Sequence, residues 1–268
     1  MSELPQISDI CERYLKVRDV ASLECLIEWA DILGYFSSWK PENVFPIELV
    51  PGVVEALVSD IDNLNDREKA CEAGLAFACI YTHQPHALPP LIDNLSPSIS
   101  DRILQAALGA DRLCKFSAMR AMRMIGRLLK CNLPLLLAFL DDPDDIVRGE
   151  VASALGGFSA ANSWLTDWDI RQIIEPRLAK YAASCQLDEF GNAIESLLQL
   201  ESLSLETVDV LSKRVCENVD DQASLFERVL KKVLISALSN RACGAQCWRE
   251  IGGFSTRAIR TRIAMRFC

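Results

Sequence analysis

The chain has 268 residues, half of them apolar, and a formal net charge of −9. That apolar share supports a substantial core and excludes a globally disordered chain. Aromatic residues are few and Leu and Ala are common, which favours helices, and no alternating Val/Ile/Thr segment with an Asn-Gly turn supports a sheet.

In chain order, residues 8–33 read as a helix or helical pair, with Ile10, Tyr14, Val17, Leu23, Leu26, Ile27 and Ala30 as its apolar positions. Residues 38–46 read as a loop broken by Pro41 and Pro46. Residues 48–61 and 67–81 then form an antiparallel pair joined by 62–66. The second helix of that pair carries a small-residue face suited to close stacking: Ala70, Cys71, Gly74, Leu75, Ala78 and Cys79. Residues 88–95 and 99–109 read as the next pair, broken by Ser96-Pro97-Ser98. A helix is expected over 116–130. On it Arg120, Arg123, Arg127 and Lys130 fall within about 80° of one another, opposite Ala118, Ala121, Met122, Ile125, Leu128 and Leu129. The expectation is a buried back and a cationic front.

Residues 133–158, LPLLLAFLDDPDDIVRGEVASALGGF, are the most informative stretch. Leu133, Leu136, Leu137 and Leu140 recur at i, i+3, i+4, i+7 and share one helical face. Pro134 suits a helix start. Pro143 pushes Asp142 out of the α region, and Asp144 or Asp145 can cap the next helix. There Val147, Val151, Ala154, Leu155 and Phe158 make the buried stripe. This stretch resembles a HEAT repeat, with Asp142-Pro143, Val147-Arg148 and Ala154-Leu155-Gly156 at the family's signature positions. The resemblance implies stacked helical pairs and a structural pairing of Asp142 with Arg148 between neighbouring repeats. Aligning Ile125-Gly126 with Leu155-Gly156 gives a spacing of 30, shorter than a period of roughly 40.

Beyond Phe158 the pattern is less repetitive. The turn SWLTDWD holds Trp164, Asp167 and Trp168, and helices are expected at 169–184, 188–200, 204–218 and 221–238. Helical pairs that cannot bury their faces alone stack into a nearly one-dimensional core. The whole chain therefore reads as a single all-α domain: a curved α-solenoid with an N-terminal helical cap over 1–40, HEAT-like pairs over 41–160 and less regular C-terminal helices over 161–268.

Eleven cysteines scattered singly fit reduced thiols buried as small apolar residues, and so a cytoplasmic protein. The segment MSELPQISDICERYL has acidic residues and no long apolar run, so no signal peptide is expected, nor any membrane span. Charge is uneven. Residues 1–60 carry eleven acidic against four basic residues, whereas residues 241–268 carry six Arg against Glu250. That balance argues against nucleic acid as the partner. The segment Arg257, Arg260, Arg262, Arg266 with Ile259, Ile263 and Phe267 reads as a basic amphipathic capping helix. Cys79, His83 and His86, with Cys243 and Cys247 from afar, have zinc-ligand chemistry. Pro85 interrupts them, and a helix-end loop is the simpler reading, so no metal or other cofactor is expected.

No phosphate-cradling Gly-rich loop and no nucleophile elbow occurs. The function expected is therefore a non-enzymatic scaffold, an adaptor or an inhibitor of the immunity-protein kind, binding a protein with an acidic surface. Arg120, Arg123, Arg127 and Lys130 are its expected polar contacts, and Trp164 and Trp168 its aromatic anchors. The rival is a HEAT-like nucleic-acid-processing enzyme, of the DNA glycosylase type, using Asp167 and the two Trp, or one of the phycobilin-lyase type. HEAT-like iron hydroxylases use His-Glu pairs, and no His here is followed by Glu.

Overall fold

A computed structural model describes residues 7–36, 48–83, 89–200 and 203–217, and every described element is helical. The expected helix at 221–238, the basic segment around Arg257–Arg266, His86, Cys243, Cys247 and the loop at 38–46 lie outside these residues. The chain divides into two units, residues 1–169 and 170–268.

The first unit begins with α1 (Ile7–Val17), α2 (Val20–Phe36), α3 (Val50–Ile61) and α4 (Arg67–His83). It continues with α5 (Pro89–Ala107), α6 (Arg112–Ile125), the short α7 (Leu133–Ala138), α8 (Asp145–Ala161) and a single turn, α9 (Asp167–Asp169). Neighbours in sequence pair: α1 on α2, α3 on α4, α5 on α6. The heaviest packing runs between the second members, α2 on α4, α4 on α6 and α6 on α8, while α1, α3 and α5 touch more lightly. The apolar stripes read from periodicity lie in these contacts. Leu133, Leu136, Leu137, Leu140, Val147, Val151, Ala154, Leu155 and Phe158 are all buried.

One local device starts all four long second helices. An aspartate before each helix accepts a backbone N–H from its first turn. Asp19 takes Ser22 N at 2.8 Å, Asp66 takes Lys69 N at 3.2 Å and Asp111 takes Cys114 N at 2.9 Å. Asp144 takes Ile146 N at 3.0 Å and Val147 N at 3.2 Å. Such caps satisfy donors that have no partner inside the helix. Hydrogen bonds from Ser22 hold the Asp19 carboxyl below the usual carboxylate range, and bonds from the Cys114 amide do the same for Asp111.

Two boundaries differ from the sequence expectation. Helix α5 runs unbroken through Pro97, which gives up one backbone bond at a cost of ~3 kcal/mol. Downstream of it Ile99, Ile103, Leu104, Ala106 and Ala107 are all buried against neighbouring helices, and that burial outweighs the cost. Conversely, the helix expected over 116–130 starts at Arg112 and stops at Ile125. Gly126 is its left-handed cap, at φ 65°, donating its N–H to the Met122 carbonyl.

The small-residue face of α4 has a definite use. A Cβ on Gly74 would lie 2.7 Å from Cγ1 and 2.9 Å from Cδ1 of the fully buried Ile103. Gly74→Ala should therefore destabilise the first unit by about 1–3 kcal/mol despite the better helix propensity of Ala. A urea-unfolding midpoint equal to or above wild type would refute this close approach.

The second unit opens with a π-helical turn (Ile170–Ile174) leading into α10 (Glu175–Ser184), followed by α11 (Leu187–Gln199) and α12 (Leu205–Glu217). Both later helices pack on α10. Arg214 on α12 donates to the carbonyls of Ala182 (3.3 Å) and Cys185 (2.6 Å) at the end of α10. A cation there satisfies terminal acceptors and suits the helix dipole. The buried Glu175 accepts the Ser204 amide at 2.6 Å, fixing the start of α12.

Candidate functional site

Because α6 ends at Gly126, the four cations expected on one stripe part company. Arg120 and Arg123 remain on the helix, whereas Arg127 follows the cap and Lys130 begins a 3-10 turn, Lys130–Asn132. The side chain of Asn162, buried at the end of α8, holds this departing segment. It accepts the Leu128 amide at 2.8 Å and donates to the carbonyls of Gly126 (2.8 Å) and Phe158 (3.0 Å).

The cations have partners within the fold. Arg123 pairs with Glu150 on α8 at 3.2 Å. Closer to the start of α6, Lys115 pairs with Asp142 at 2.9 Å and Arg112 with Asp144 at 2.6 Å. Stacked like charges on α6 are thus offset by acids on the next pair. Arg148 engages the same turn. Its guanidinium donates to the backbone carbonyls of Asp142 (2.8 Å) and Pro143 (3.0 Å), bracing its own turn, while the Asp142 carboxylate reaches back to Lys115. Lys115 of α6 thus ties Asp142 to the neighbouring pair.

Lys130 and the two tryptophans meet at the 162–169 turn. Trp164 is half-buried, donates its indole N–H to the Leu128 carbonyl at 2.7 Å and lies under the Lys130 ammonium, 6.0 Å from ring centre to Nζ. Lys130 also pairs with the buried Asp169 at 3.3 Å. Asp169 and Thr166 bond reciprocally: the Asp169 carboxylate accepts the Thr166 amide (3.0 Å) and hydroxyl (2.7 Å), and the Thr166 oxygen accepts the Asp169 amide (3.1 Å). These Thr166 bonds first, and Lys130 second, hold the Asp169 carboxyl below the usual carboxylate range. Trp168, between those two residues, is 64% exposed.

Sequence reading named Lys130, Trp164 and Trp168 but not the groups that fix them. Asp169 does carry a local signal: Thr166-x-x-Asp169 has the spacing of a capping box, with Asp in place of Glu or Gln. Asn162 and Glu150 carry no such local signal, since their partners lie 34–36 and 27 residues away. On α4, burial raises the Glu72 carboxyl above its ordinary value, against a 2.6 Å bond from Ser117 and the charge of Arg120. Among the described residues, no group of three or more His, Cys, Asp or Glu is placed to hold a metal ion, and no helix is long and apolar enough to cross a membrane.

No known protein family, curated protein or solved structure matches the chain.

Proposed function

We propose that the first unit is a HEAT-like α-solenoid and that the protein is a non-enzymatic, cytoplasmic scaffold. It binds the acidic surface of another protein through Trp168 and the cationic side of α6 and its cap. Three features support the architecture: the pairing of α1 to α6 in sequence order, the continuous packing of α2, α4, α6 and α8, and the aspartate that starts each of those four helices. Stacked pairs of this kind bury a face that no single pair can bury alone.

The binding reading is carried by Trp168. A largely exposed indole on a turn locked by Thr166, Asp169 and Lys130 is an anchor that loses little ordering entropy on binding. Magnitudes rank the contacts. Arg123 and Lys130 are exposed but already share carboxylates, so a partner's carboxylate adds only about 0–1 kcal/mol at each. A tryptophan anchor contributes about 2 kcal/mol or more. The cations then set orientation and partner choice, and Trp168 sets affinity.

Affinity capture from native cytosol at physiological salt, with and without nuclease, tests this reading. A stoichiometric protein partner should survive both conditions. Trp168→Ala should weaken its capture by about tenfold or more, and reversing Arg123 and Arg127 together to Glu should abolish it without unfolding the chain. Capture lost with nuclease, or collapsing between low and moderate salt, would turn the reading to a nucleic-acid enzyme using Asp167.

A further inference from the structure

Beyond that site, the first unit carries a second surface on a different edge. The turns inside successive pairs lie side by side. Arg18, after α1, bonds Asp60 at the end of α3, and Arg102 on α5 bonds Asp62 in the α3–α4 turn. Arg67, at the start of α4, donates to the carbonyls of Gln105, Ala106 and Leu108 at the end of α5. Arg112, at the start of α6, bonds Asp144 at the start of α8. Seven large apolar residues are exposed among the described residues, and five of them fall on this one edge: Val17, Leu64, Leu108, Leu113 and Ile146. Leu113 is the most exposed of all, at 72%, although it sits in the first turn of a helix whose other face is buried.

The edge is also acidic. Residues 62–68, 108–113 and 141–146 hold eight Asp or Glu and two Arg. Arg102, Lys115 and Arg148 reach in, and the partial positive charges of three helix N-termini offset a further part. The α1–α2 turn, with Lys16 and Arg18 against Asp19, lies outside this acidic stretch. Over the α3–α4, α5–α6 and α7–α8 turns, where Leu64, Leu108, Leu113 and Ile146 lie, acidic charge remains in modest excess. An apolar row set in a field of one sign selects a ligand of the opposite sign with its own apolar stripe.

We propose that this turn edge docks a cationic amphipathic segment of a partner protein. Leu113 and Ile146 take its apolar stripe, and Glu68 and Asp145 face its arginines or lysines. The surface is independent of Trp168, so one molecule can hold two partners of opposite charge, which is what a scaffold requires.

The test is a fluorescence-anisotropy titration of the full chain against a short synthetic peptide with Arg along one helical face and Leu along the other. A counterpart with every Arg replaced by Glu, and phosphatidylserine vesicles, are run in parallel. The expected result is saturable binding of the Arg peptide and none of the Glu peptide or the vesicles. Leu113→Ser with Ile146→Ser, and separately Glu68→Lys with Asp145→Lys, should each weaken binding by about tenfold or more. Leu113→Ser with Ile146→Ser should keep the wild-type helix signal and unfolding midpoint. Glu68→Lys with Asp145→Lys, which places cations in the first turns of α4 and α8, should keep the helix signal with a modestly lowered midpoint. No saturable binding, equal binding of the Glu peptide, or wild-type affinity in both double variants would overturn the proposal. Vesicle binding that depends on Leu113 and Ile146 would replace it with a membrane contact.

Discussion

Asp60→Ala should cost the first unit about 3–5 kcal/mol, a fifth or more of the roughly 5–15 kcal/mol stability of an ordinary domain. Asp60 is a buried carboxylate at the end of α3, and three side chains, from α1, the turn after it and α4, converge on it. The Tyr14 hydroxyl donates at 2.6 Å, the Arg18 guanidinium at 2.6 Å, and the Lys69 ammonium lies at 3.0 Å. Removing the carboxylate leaves Tyr14, which is fully buried, without its acceptor, and leaves two cations side by side with no anion between them. The loss is large because of these stranded groups, not because the pairs are strongly stabilising in themselves. That distinction is testable. Replacing Asp60, Arg18 and Lys69 together with apolar residues of similar volume, with Tyr14→Phe, should restore most of the stability lost in Asp60→Ala. Urea unfolding monitored by the helix signal reads both effects. A midpoint for Asp60→Ala within error of wild type would mean that water reaches the cluster and satisfies it.

The boundaries of α3, α4, α7 and α8 were legible because each combines a 3.6-residue apolar period with a local stop, whereas the break between α1 and α2 was left open within 8–33. The pair Asp142-Pro143 illustrates this: Asp142 is extended, at φ −60° and ψ 140°, and Asp144 caps α8 immediately after it. The end of α6 was misread for a related reason. Gly126 looks like one more small residue of a stacking face, and only its positive φ reveals a terminus. Aligning it with Gly156, which lies inside α8, matched a cap to a helix interior and produced the short spacing. The four capping aspartates give a better register, at intervals of 47, 45 and 33 residues from Asp19 to Asp144. Asp is common and its caps lack the Glu or Gln that completes a capping box, so the pattern does not stand out in one sequence. The candidate site was legible only in its residue types. Whether Arg123 or Lys130 is bare or paired depends on Glu150 and Asp169, which packing between helices brings near from 27 and 39 residues away. Helical period carries no information about such pairs. Cysteine burial was legible in part: Cys11, Cys71, Cys79, Cys114 and Cys185 are buried, whereas Cys25 is half-buried and Cys131 exposed, and burial pushes the Cys11, Cys71 and Cys114 thiols up to about 12. That keeps them protonated and inert near neutral pH.

Leu155→Asp should abolish the cooperative folding of the first unit near neutral pH. Leu155 is fully buried on α8, where the adjoining stripe residues Val151, Ala154 and Phe158 are buried too. Helix α8 packs chiefly on α6, so a defect there reaches the middle of the unit. Losing the leucine side chain alone costs about 2–5 kcal/mol, through lost burial and the cavity left behind. The carboxylate adds a further penalty of several kcal/mol if it stays charged, or less if it takes up a proton instead. The sum approaches or exceeds the roughly 5–15 kcal/mol that holds a typical domain together. The sign of the pH dependence comes from burial. A carboxyl forced into this site has its folded pKa raised above the unfolded value, so it destabilises least at low pH, and the penalty grows as pH rises through the unfolded pKa. Leu155→Ala separates the two contributions, since it should cost the cavity part alone and show none of the added pH dependence. The expected result is therefore a chain that folds as Leu155→Ala with a lowered urea midpoint, and as Leu155→Asp loses helix signal and protease resistance across residues 1–169. A Leu155→Asp protein with a wild-type midpoint at neutral pH would place Leu155 outside the core and undo the packing of α8 on α6.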